Sequence, residues 1–125
     1  MNFNLSPTWS EIMEEQWIVI GRLSDIPPRG ARVVRRAEGN IAIFRTAGDE
    51  VFALADRCPH RGGPLSQGIV HGTSVTCPLH DWRIDLISGR AIAPDEGCVA
   101  RYPVRIRDGM VELCVTASVL APEAA

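Results

Sequence analysis

The chain contains no lysine. Its thirteen basic residues are all arginine and stand against fifteen acidic ones, for a net charge of −2. That balance gives no global pull towards nucleic acid or an anionic membrane surface. No run approaches the roughly eighteen apolar residues of a membrane-spanning helix, and the first residues lack the basic-then-apolar layout of a secretory signal. There is no dinucleotide-binding glycine motif, and 125 residues leave no room for a flavin fold beside another function. No internal repeat or linker divides the sequence, so one domain is expected, long enough to bury a single core. Apolar content of 46% with 22% charged residues is ordinary for a soluble globular protein. Together these absences predict a cytoplasmic domain without nucleic-acid or membrane partners, in a reducing compartment where disulfides are rare.

What is present is concentrated between Cys58 and Trp82. That stretch begins Cys58-Pro59-His60-Arg61-Gly62-Gly63-Pro64-Leu65 and ends Cys77-Pro78-Leu79-His80-Asp81-Trp82. Each end offers one thiol and one imidazole, with sixteen residues (61–76) between His60 and Cys77. A binuclear cluster needs two like donors on each metal, so two turns that each supply one of either kind satisfy it. The pattern matches a Rieske [2Fe–2S] centre, in which two Cys hold one iron and two His replace Cys on the other. Cys58 and Cys77 are then expected as thiolates, and His60 and His80 as neutral imidazoles. The same four residues would also make a tetrahedral zinc site. Zinc fingers usually segregate their ligand types, whereas here the types are mixed within each turn and both turns carry proline, which favours the cluster.

The rest of the chain reads as short strands. Residues 1–15 form an extension with Pro7, Trp9 and an acidic patch at Glu11, Glu14 and Glu15. Strands are predicted at Trp17–Ile20, Arg32–Arg36, Ile41–Arg45, Val51–Ala55, Ser74–Thr76, Arg83–Leu86, Arg101–Arg107 and Met110–Val115. Turns fall at Glu38-Gly39-Asn40, Ala47-Gly48-Asp49 and Asp108-Gly109, the last a strong two-residue hairpin signal. Such spacing without a long helical period predicts an all-β domain, a small antiparallel sandwich or barrel over 16–116, followed by a tail at 117–125.

From about Trp17 to Val115 the layout resembles the Rieske ferredoxin-like fold, which implies cluster loops on a small subdomain at one end of a β-sandwich. Cys77-Pro78-Leu79-His80-Asp81-Trp82, Ser88-Gly89-Arg90-Ala91 and Ala93-Pro94-Asp95-Glu96-Gly97-Cys98 are similar to the small subunit of assimilatory NAD(P)H-dependent nitrite reductase. That resemblance implies a partner, a large chain holding flavin, a 4Fe–4S cluster and sirohaem that reduces nitrite to ammonia. This chain alone is not expected to turn over nitrite. Two other functions compete: a free-standing ferredoxin feeding an aromatic-ring oxygenase, and a zinc-stabilised interaction module with no redox role.

The resemblance also implies roles for single residues. Ala93–Gly97 is placed to be the proline-bearing third loop that covers the cluster. High-potential relatives carry a loop-bridging disulfide where this chain has Gly63 and Leu79, and a serine where it has Trp82. Asp81 adds a nearby negative charge. All three features predict a reduction potential at the low end of the Rieske range, which runs from about −150 to +300 mV. Arg57, Arg61 and Arg83 flank the loops as a possible basic rim for an acidic partner surface. Trp82 is expected to pack beneath its loop, and no metal role is assigned to His71, Cys98 or Cys114.

Overall fold

The computed structural model describes residues 16–59, 62–79 and 81–116. Among these residues the chain forms ten strands and two short 3-10 turns, with no α-helix. β1 (Trp17–Arg22), β10 (Met110–Cys114) and β9 (Val104–Arg107) form one antiparallel sheet, with β10 in the middle. β2 (Ala31–Val34), β3 (Ile41–Arg45), β4 (Val51–Ala55) and β8 (Arg101–Tyr102) form a second. β5 (Ile69–His71), β6 (Ser74–Thr76) and β7 (Arg83–Asp85) form a third, smaller one. The all-β architecture is the one the turn spacing predicts. No helix among the described residues is long and apolar enough to cross a membrane.

β3 is the spine of the molecule. Its sequence Ile41-Ala42-Ile43-Phe44 is apolar without a break because both of its faces are buried. Side chains alternate along a strand, so Ile41 and Ile43 join Ile26, Ala53, Val111 and Leu113 in a core against the first sheet. Ala42 and Phe44 turn the other way, into a core with Leu54, Leu65, Val70, Val75, Ile84 and Leu86 that reaches the third sheet. At the end of β3, Arg45 Nη1 donates to the carbonyls of Leu23 and Ile26 at 3.3 and 2.6 Å, pinning the first 3-10 turn (Leu23–Asp25) to the spine.

The strand limits differ from expectation where backbone donors are missing or diverted. The run 101–107 is two strands, because Pro103 has no N–H to give a ladder; its carbonyl instead accepts from the amide of Cys114 at 2.9 Å. β2 stops at Val34, and the Arg36 amide turns to Asn40 Oδ1 at 3.3 Å to close the hairpin. The segment at Ile69–His71 proves to be a strand, paired with β6. Asp108 and Gly109 both have positive φ, 54° and 77°, the mirror-image turn that suits a two-residue hairpin. The extension at 1–15 and the tail at 117–125 lie outside the described residues.

Candidate metal centre

Two loops carry the candidate ligands, one running from the second sheet to the third and one within the third. The first loop leaves β4 and returns to β5 through a 3-10 turn at Leu65–Gln67; the second joins β6 to β7. At the base of the first, the Asp56 amide donates to the Asn40 carbonyl at 2.9 Å. The Asp56 carboxylate accepts from both the amide and the hydroxyl of Ser66, each at 2.7 Å. Inside the loop, the Cys58 amide donates to the Gly63 carbonyl at 2.7 Å and the Gly62 amide to the Cys58 carbonyl at 2.8 Å. In the second loop the Cys77 amide donates to the Trp82 carbonyl at 2.7 Å, with Asp81 at φ 57° making the turn.

These bonds aim the two thiols inward. Cys58 is 2% exposed and Cys77 is fully buried, both at the edge of the core shared with β3. Their side chains are hydrogen-bonded to one another, yet both cysteines are free. Burial pushes the Cys77 thiol above its ordinary pKa. The backbone N–H of Leu79, bonded to the sulfur, works against that rise, while Cys58 and the charge of Asp81 add to it. A pair of buried, touching, unbridged thiols is a set that a cation would complete, because the metal supplies the charge a buried thiolate lacks. Gly63 packs closely beside them: a methyl group on it would sit 2.7 Å from Leu79 Cδ1 and 3.4 Å from Cys77 Sγ. The donor chemistry therefore fits a cluster held on its inner side by two cysteines.

His60, Arg61 and His80 lie outside the described residues. Among the described residues no group of three or more His, Cys, Asp and Glu is gathered as a metal site. His71 ends β5 at the hairpin to β6, with its carbonyl accepting from the Ser74 hydroxyl. Cys98 bridges to Arg90. Cys114 is fully buried, its sulfur 3.4 Å from Thr116 Oγ1. Arg57 and Arg83 are exposed, one beside each loop. Trp82 is half-buried against the core beneath its loop, as expected. The segment 93–97 reaches the loops through Gly97, where a methyl group would lie 3.0 Å from Pro59 Cβ and 3.9 Å from Trp82 Cζ3. The Leu79 amide is a functional donor that residue types do not reveal, because any residue but proline supplies an N–H.

The model of the Rieske [2Fe-2S] domain matches residues 16–103. The chain belongs to the Rieske family. Its cofactor is accordingly a Rieske [2Fe–2S] cluster, its role electron transfer with redox partner proteins, and the zinc reading falls away. Rieske relatives include the anthranilate 1,2-dioxygenase ferredoxin subunit of Burkholderia cepacia, 38% identical over 101 residues, which cover 80% of this chain and 93% of that one. Another is the 4beta-methylsterol monooxygenase of Methylococcus capsulatus, 36% identical over 108 residues; the match takes in 78% of this chain but only 29% of that protein.

Solved structures that share the fold include these two. One is a complex of reduced oxygenase and oxidised ferredoxin in carbazole 1,9a-dioxygenase, with TM-score 0.71 and 26% identity over 78% of this chain and 92% of the other. The second is the E. coli protein NirD, with TM-score 0.69 and 30% identity over 79% and 96%.

Proposed function

We propose that this chain is a Rieske ferredoxin that hands single electrons to the oxygenase component of an oxygenase system. The observation that carries the reading is its 38% identity across nearly the whole length of a dioxygenase ferredoxin subunit. Cys58 and Cys77 would hold one iron of the cluster, and His60 and His80 the other. Bound there, the cluster supplies a centre that accepts and releases one electron. The protein's own contribution is to keep the thiols dry, to donate the Leu79 N–H to Cys77, and to shield the loops with Trp82 and the 93–97 segment. Arg57, Arg61 and Arg83 present positive charge to an acidic partner surface, which speeds encounter more than it tightens the complex.

A second reading, the small subunit of nitrite reductase, draws support from the 30% identity to NirD and from the wording of residues 77–82 and 88–98. One experiment separates the two. The purified protein is reduced by NADH through a flavin reductase and offered to an aromatic-ring oxygenase, and separately to a sirohaem chain. Rapid reoxidation by the oxygenase with product formation supports the ferredoxin. A stable complex with the sirohaem chain, and no reoxidation by the oxygenase, overturns it.

A further inference from the structure

We propose that Asp56 is a positioning residue for the cluster, acting through Ser66 to hold the first ligand loop closed before any metal arrives. The inference rests on Cys58 being a ligand, as proposed above. Asp56 and Ser66 lie on either side of that cysteine, and one carboxylate joins them. Oδ1 takes the Ser66 N–H and Oδ2 the Ser66 O–H, both at 2.7 Å, so the two residues meet face to face. The Asp56 amide is itself anchored on Asn40 in the β2–β3 hairpin, which fixes the clamp to the second sheet.

Loop closure is what the clamp supplies. Without it, the two backbone bonds within the loop and the burial of Cys58 and Leu65 are left to keep the Cys58 thiol facing Cys77. An open loop gives the inner iron a route to solvent and to chelators. Asp56 acts through Ser66 rather than on the cluster, and its charge is incidental: an amide of the same shape accepts the Ser66 N–H and donates to the Ser66 hydroxyl oxygen.

The test compares Asp56→Ala, Asp56→Asn and Ser66→Ala with the wild type. Two quantities are followed in holoprotein: the bleaching rate under excess chelator, and amide hydrogen exchange in peptides spanning 56–66. Asp56→Ala is expected to bleach about tenfold faster and exchange faster in that span, Ser66→Ala about threefold, and Asp56→Asn within about twofold of wild type. Rescue by asparagine is the readout that separates a positioning bond from a charge effect. If Asp56→Ala matches wild type in both measurements, or if Asp56→Asn is as impaired as Asp56→Ala, the inference fails. Should Asp56→Ala not fold, Ser66→Ala decides: faster bleaching supports the clamp and an unchanged rate overturns it. A wild type without a Rieske spectrum overturns the ligand assignment instead, and so is told apart.

Discussion

Gly63 and Leu79 meet across the two ligand loops, so closely that a methyl group on the glycine would press on Leu79 Cδ1 at 2.7 Å. They are the positions at which high-potential members of the family carry a bridging disulfide, and here a van der Waals contact takes its place. Asp81 adds a charge that reaches Cys77. A negative charge beside the centre opposes further reduction. The midpoint potential is therefore expected in the lowest third of the window from about −150 to +300 mV. Spectroelectrochemistry measures it directly, and a value in the upper half would show that these substitutions do not set the potential.

Replacement of His80 by cysteine exchanges a neutral donor for an anionic one. The midpoint potential should then fall towards the roughly −400 mV of all-thiolate clusters, and the average g value of the reduced protein should rise. Retention of the wild-type EPR signal in His80→Cys would remove that histidine from the ligand set.

The raised pKa of Cys77 makes the cluster-free protein sensitive to alkali. Because the folded value lies above the unfolded one, the protonated thiol contributes stability that is complete below the unfolded thiol pKa, about 8.5. That contribution is lost as pH climbs from there through the folded value. Urea midpoints of the apoprotein should be level between pH 7 and 8 and fall above pH 9, with a shallower fall for Cys77→Ser. Holoprotein should lack this fall, because the proposed ligation of Cys77 would leave no thiol proton to lose. Equal slopes for the apoprotein and its serine variant would contradict the assignment.

Phe44 carries the packing between β3 and the loop-bearing sheet. It is fully buried and lies opposite Phe52 on β4. Phe44→Ala should cost about 3–5 kcal/mol by equilibrium denaturation. It should also weaken cluster retention, because Cys58 and Cys77 belong to the same core. A loss below about 1 kcal/mol would mean that the site collapses around the gap without penalty.

The residue pattern by itself determined the cofactor chemistry and most of the strands. Two Cys and two His in mixed pairs leave few arrangements open, and Ile41–Arg45 and Val51–Ala55 match their expected limits because apolar periodicity and turn residues are local signals. Tertiary structure decided what depends on residues distant in sequence. It set Gly63 against Leu79, Gly97 against Pro59 and Trp82, and the Asp56 carboxylate against Ser66. It also broke the 101–107 run at Pro103, where β8 leaves the second sheet and β9 enters the first. Pairing across sheets is chosen by which surfaces exclude water together, and that choice is made only when the chain has folded.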